Sequence, residues 1–351
     1  LLDRATLQKR RKAEAHRDRV QDPLAQRFGL PGALTPVRDL EAFGEGYLAV
    51  VHADGNGVGL RAKQEVRNLK GQAHFSRALS EGTFNAAREA TAALLQRLGL
   101  EDGEAPFRPV VLGGDDLTVI LQARHALAFA SCYLEAFERH SARALEEAGF
   151  GSGSGLTACA GVALIKKHWP FIQAHDLAEA LCKAAKEGLR KGGEDPSTAS
   201  GLIFHRVTTA MASDWGTIQQ EELAGASGEV GVFVGGPYSV GGVEPPEGVV
   251  KLKALRELTL ASKRLARGSL REWLRLAKLD PAKAEDHLGR MTQVMRLRDS
   301  AGLEAFEGAM AGCRCKADTG WATGSRRRTP LLDLLTWRSI DPDTDLWPKE
   351  G

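Results

Sequence analysis

The sequence has no apolar run approaching the roughly 18 to 20 residues that a membrane-spanning helix needs, so no membrane partner is expected. Cysteine is scarce, with five residues in 351 and no regular spacing. That argues against a disulfide framework. Cys313 and Cys315 form a C-x-C pair, but no second Cys or His pair lies near it, and zinc sites want four spaced ligands. Charge of one sign is also lacking. A formal net charge of +2 is close to neutral, so bulk electrostatics does not single out a nucleic-acid binder. The opening residues show no signal-peptide pattern, and a cytoplasmic protein is the expectation. Because the chain starts Leu1-Leu2 without Met, it is expected to be a fragment or to follow further residues.

What is present is an ordinary globular composition, 43% hydrophobic and 26% charged, in a length that suits two domains. Residues 1–46 pair a basic, helix-prone stretch (Arg4, Lys9, Arg10, Arg11, Lys12, Arg17, Arg19) with a Pro/Gly-containing connector. Such a stretch reads as a solvated helix, or as an arm that touches RNA or an acidic partner. Residues 47–225 alternate strand and helix patterns. Residues 226–250 are rich in Gly and Pro and read as a linker or wrapping segment. From 251 to 351, helical patterns at 252–266, 269–279, 282–296, 300–312 and 329–338 suggest a bundle. Its first stretch is basic, with Lys251, Lys253, Arg256, Lys263, Arg264, Arg267, Arg271 and Arg275, and Arg326 to Arg328 add a cluster.

Within 47–225, Tyr47 to Ala53 reads as a buried strand ending in Asp54-Gly55-Asn56-Gly57-Val58-Gly59. A helix is expected over 72–98, where Phe75, Leu79, Phe84, Ala87, Ala90, Leu94 and Leu98 fall on one face. Strands at 107–112 and 117–122 flank Gly113-Gly114-Asp115-Asp116. A helix over 125–148, a strand over 156–166, a helix over 176–190 and a strand over 201–207 complete the set. Asp176 and Glu179 read as the N-cap and capping-box partner of that last helix. The order is βαββαβ with an extra strand. The fold class is therefore α+β, a ferredoxin-like palm followed by a C-terminal helical bundle. In this topology the first strand lies beside the hairpin, so Asp54 approaches Asp115 and Asp116.

Adjacent acids at the tip of two apolar strands are costly unless neutralised. Hard carboxylate oxygens suit Mg²⁺ or Mn²⁺. Gly113 and Gly114 let the chain turn sharply and leave room for a bulky ligand. A plain Asp-Gly hairpin turn is the bland alternative, but a neighbouring strand that also ends in an acid argues against it. Three converging acids on a split βαβ scaffold are the arrangement of nucleotidyl transfer, with Asp54, Asp115 and Asp116 as metal ligands and catalytic groups. The protein then mainly positions and screens. Gly55, Gly57 and Gly59 would let backbone N–H groups approach phosphates, and Asn56 can donate or accept without adding charge.

The segment Ala178-Glu-Ala-Leu-Cys-Lys-Ala-Ala-Lys186-Glu-Gly188 is similar to a helix that succeeds the palm hairpin in diguanylate cyclases, which implies that Lys186 reaches a triphosphate. Taken in order, Asp54-Gly-Asn-x-x-Gly59, His74-Phe-Ser-x-x-Leu79, Gly-Gly-Asp115-Asp116, Ala160-Gly-Val-Ala163 and the Lys186 helix resemble the second palm domain of the polymerase-like large subunit of type III CRISPR effector complexes. Gly-Pro237-Tyr238 and the basic helical tail resemble the region C-terminal to that palm in the same family. The resemblance implies ATP as substrate, converted to cyclic oligoadenylates when target RNA is bound. It also implies Gly113, Gly114, Gly55, Asn56 and Lys186 around the nucleotide, and partnership with RNA-binding subunits and guide or target RNA. The family's N-terminal HD nuclease and first palm are not in this chain. His175-Asp176 is an HD dipeptide without the other nuclease ligands, and capping explains it. With one palm, a homodimer or a partner palm must complete a two-ATP site. Leu117 stands where diguanylate cyclases carry Phe, which points away from GTP. The alternatives are a non-catalytic scaffold subunit of an RNA-guided complex and a homodimeric cyclic dinucleotide synthase.

Overall fold

The computed structural model describes residues 23–151, 155–190, 199–208, 214–225, 232–233, 235–323, 328–342 and 344. The basic stretch at the start, and Arg326 and Arg327, lie outside the described residues. The chain begins with α1 (Pro23–Arg27) and β1 (Leu34–Pro36). It continues through β2 (Tyr47–Gly55), α2 (Val58–Glu65), α3 (Leu69–Leu98), β3 (Gly103–Ala105), β4 (Phe107–Gly113) and β5 (Asp116–Gln122). Next come α4 (Ala123–Glu147), β6 (Ala158–Lys166), α5 (Phe171–Gly188), β7 (Ser200–Arg206), α6 (Trp215–Glu221), β8 (Tyr238–Val240) and β9 (Val250–Lys251). The C-terminal helices are α7 (Leu252–Ala261), α8 (Arg267–Leu279), α9 (Pro281–Arg298), α10 (Ser300–Gly312) and α11 (Leu331–Ile340).

β1 and β3 form a small parallel pair, and the main sheet runs β4-β5-β2-β6-β7-β8-β9. β2 lies antiparallel to both β5 and β6. Leu48, Ala49, Val50 and Val51 are all buried, which is why this strand reads as an unbroken apolar run rather than an alternating one. The two faces have different covers. His52 points toward α5, where its ring packs 5.4 Å from that of His175. Strand alternation therefore sends Ala49, Val51 and Ala53 to the opposite face, beneath α4, which packs against α3. Helix limits reflect local chemistry. The Asn68 side chain caps α3 by accepting from Gly71 N, and Gly99, left-handed at φ 60°, ends it. Asp280 and Asp299 cap α9 and α10 in the same way, with Pro281 at the first position of α9.

Three expectations change. α5 starts at Phe171, just after Pro170, so Asp176 lies inside it and caps nothing. The buried Ala174 carries the helix's apolar face one turn earlier than the Asp-x-x-Glu spacing suggested. The Gly/Pro-rich segment is not a free linker where it is described. Tyr238–Val240 adds a strand to β7, and Val232, Phe233 and Tyr238 are buried. Tyr238 OH donates to Asp333 on α11 at 2.6 Å, and Gly235 N donates to the same oxygen at 2.9 Å. The helical region is thereby fastened to the sheet. Finally, the basic tail is partly spent within the chain. Arg264 pairs with Asp299 at 2.6 Å, Arg275 with Glu272 at 2.7 Å, and Arg267 donates to the Arg338 carbonyl. Cys313 and Cys315 are buried, with their thiol pKa values pushed up by burial.

Candidate active site

Two strand ends build the site. Asp54 is the penultimate residue of β2, and Gly113 pairs with Asp116 to close the β4–β5 hairpin over a Gly114-Asp115 turn. Gly114 takes φ 63° while Asp115 does not go positive, the sign pattern of a type II′ hairpin turn. A β2–β5 register that aligns Ala53 with Leu117 sets the two strand ends side by side. Carboxylate oxygens of Asp54, Asp115 and Asp116 consequently all lie within 4.8 Å of one another. Gly55 is required for this. A Cβ there would stand 2.9 Å from both Cβ and Oδ2 of Asp115 and 2.7 Å from Val58 Cγ2.

The cluster is electrostatically strained without a cation. Burial pushes the Asp115 carboxyl above its ordinary range, and the Asp54 charge pushes it further. Asp116 is pushed up to about 7, first by burial, then by a hydrogen bond shared with Asp54 and by the charges of Asp54 and Asp115. Among the described residues, one cation faces the three acids. Lys186 on α5 forms an ion pair with Asp54 Oδ2, and its Nζ donates to the Gly55 carbonyl at 2.7 Å. A set of hard oxygens carrying more negative charge than one lysine cancels, in a cradle that a Cβ would fill, fits Mg²⁺ or Mn²⁺.

Of the residues expected here, Gly55, Gly113, Gly114 and Lys186 border the acids. Asn56 instead turns inward. Its Nδ2 donates to Thr157 Oγ1 at 2.9 Å and to the Ala199 carbonyl at 3.3 Å, tying the β2 loop to the approaches of β6 and β7. Two supporting residues carry no sequence signature. Thr83 on α3 donates to the Gly114 carbonyl at 2.7 Å and pins the turn from beneath. Tyr133 on α4 is fully buried, and its phenol pKa is raised by burial and then by the three acid charges. Only a fold can place either residue there, since both read as ordinary helical positions. A second group, His175, Asp176 and Glu179, also brings ligand atoms within 4.8 Å, but its two carboxylates are exposed.

A sheet that presents three carboxylates and a lysine at a hairpin mouth defines the class, a palm domain. Residues 47–193 match the family model for Cas10/Cmr2, second palm domain. Asp54, the Gly113–Asp116 turn and Lys186 all fall inside it. Among solved structures, the active GGEEF domain of a diguanylate cyclase from Vibrio cholerae matches at 15% identity and a TM-score of 0.26, covering 40% of this chain and 77% of that one. No curated protein matches. No described helix is long and apolar enough to cross a membrane.

Proposed function

We propose that this chain is a metal-dependent nucleotidyltransferase that joins ATP into cyclic or linear oligoadenylates, working with RNA-binding subunits and guide or target RNA. The observation that carries the reading is the convergence of Asp54, Asp115 and Asp116 within 4.8 Å inside the matched palm. Those three carboxylates would hold Mg²⁺ or Mn²⁺, which when bound supplies charge neutralisation on the triphosphate and a lower pKa for the attacking hydroxyl. The chain's own residues do the positioning. Gly113 has open space where a Cβ would stand, which leaves room for a nucleotide beside the turn. Thr83 fixes the turn that carries Asp115. Lys186 stands within reach of phosphates beside the acids. The described residues hold one three-acid palm cluster, and a second palm, from a second copy or another palm domain, would supply the site for a second nucleotide.

Labelled ATP with Mg²⁺ or Mn²⁺, with and without partner RNA, tests the proposal. Product from the unaltered chain and none from Asp115→Ala/Asp116→Ala is the expected result. Equal behaviour of the two under every condition overturns it and leaves the scaffold reading. Product from GTP without RNA would favour the free cyclic dinucleotide synthase instead.

A further inference from the structure

Lys186 stands where a cation is needed. Its ammonium engages two oxygens at the end of β2, Asp54 Oδ2 and the Gly55 carbonyl. A carboxylate and a carbonyl on adjacent residues are a donor pair that a hard divalent ion takes, and the Asp115 and Asp116 oxygens lie within 4.8 Å of the Asp54 carboxylate. A lysine ammonium is a compact point charge on a flexible four-carbon stem, so it can fill a cation position and also vacate it. The helix beneath it cannot retreat without uncovering its buried face of Ala174, Leu177, Ala178, Leu181, Cys182 and Ala185. Displacement is therefore confined to the side chain.

Resting on the metal reading above, we propose that Lys186 is a built-in placeholder cation. It neutralises the Asp54–Gly55 oxygens in the metal-free protein, and a divalent ion must displace it to bind them. The arrangement makes the lysine a competitor of the metal and, once displaced, a free ammonium beside the site. A static anchoring pair would behave differently. Its removal would weaken the fold and leave metal affinity unchanged or lower.

The test is Mn²⁺ binding to the full chain, monitored by electron paramagnetic resonance at about pH 8, well above the ordinary carboxylate range. Lys186→Met is expected to lower the Mn²⁺ Kd on the order of tenfold, because one repelling charge at contact distance is gone. Lys186→Arg keeps the charge and should bind no more tightly than the unaltered chain. A second readout needs no substitution: saturating Mn²⁺ should raise the rate at which Lys186 is acylated, read by mass spectrometry against Lys63. Unchanged or weaker Mn²⁺ binding by a folded Lys186→Met overturns the placeholder role. So does a Lys186 labelling rate that ignores bound Mn²⁺. Asp54→Asn separates the two levels. If it abolishes binding while Lys186→Met changes nothing, only the placeholder falls. If the unaltered chain and Lys186→Met bind no better than Asp54→Asn, the metal reading falls and takes the placeholder with it.

Discussion

Gly161 lies in β6 opposite His52, and α5 rests on it with no side chain between. An added Cβ would overlap the Ala178 carbonyl oxygen and stand 2.5 Å from Cys182 N and 2.8 Å from Leu181 Cβ. Ordinary contact begins near 3.4 Å, so at Cys182 the helix backbone must withdraw by about 0.9 Å, and by more at Ala178. The Ala178 and Cys182 atoms are helix backbone and the Leu181 Cβ is fixed to it, so no rotamer change relieves them. Lifting α5 also loosens the face formed by Ala174, Leu177, Ala178, Leu181, Cys182 and Ala185. Overpacking of this kind costs roughly 1–3 kcal/mol, and a backbone clash belongs at the upper end. Gly161→Ala is therefore expected to lower the melting temperature by roughly 3–5 °C, read by calorimetry or near-UV circular dichroism. Because Lys186 rides on the displaced helix, its ion pair with Asp54 should loosen, and acylation of Lys186 should speed up without metal. A Gly161→Ala protein that melts within about 1 °C of the unaltered chain would refute the close packing and the placement of Lys186 that depends on it.

Other substitutions probe the site and its supports. Gly113→Ala meets no atom within 4 Å, so its stability should be unchanged while nucleotide turnover falls; a lower melting temperature would contradict the open space at the turn. Thr83→Val removes the hydroxyl that reaches Gly114 and should cost ~1–2 kcal/mol in denaturant unfolding, with weaker Mn²⁺ binding as Asp115 loses its anchor. Tyr238→Phe leaves the buried Asp333 with one fewer donor and should cost about 1–3 kcal/mol without affecting Mn²⁺ binding. The last prediction concerns pH. Asp116 and Asp333, each pushed up to about 7, and Asp115, also raised, bind more protons folded than unfolded, so metal-free stability is fullest below the ordinary carboxylate range and falls as pH rises through about 7. His125, held down near 4 by burial, acts in the opposite sense, but that contribution is complete above 6.5, its unfolded value. Between about pH 6.5 and 8 the melting temperature in chelator should therefore fall, and saturating Mn²⁺ should remove the share due to Asp115 and Asp116 but not that due to Asp333. A flat profile in chelator would contradict the strain in the cluster.

The acids, the glycines beside them and the apolar strand that delivers Asp54 are legible in the sequence because each is local. A buried strand is a run of apolar residues, a hairpin needs its turn chemistry, and adjacent carboxylates at a strand end are costly wherever they occur. The same local logic misread the start of α5, since Asp176 and Glu179 have capping spacing but Pro170 and the buried Ala174 place the helix end one turn earlier. It left the Gly/Pro-rich segment open between linker and wrapping segment, because Tyr238 becomes core only once β7 offers it an edge and Asp333 a partner. Asn56 could be named but not aimed, because its partners Thr157 and Ala199 lie 101 and 143 residues away in sequence. Thr83 beneath the turn and the missing Cβ of Gly161 under α5 are likewise set by contacts between distant segments. Sequence alone thus determined which groups could bear negative charge and where the chain would turn. Only the tertiary structure decided that three acids and one lysine share a single point, because register, helix height and the pinning of the turn belong to pairs of elements and not to any one of them.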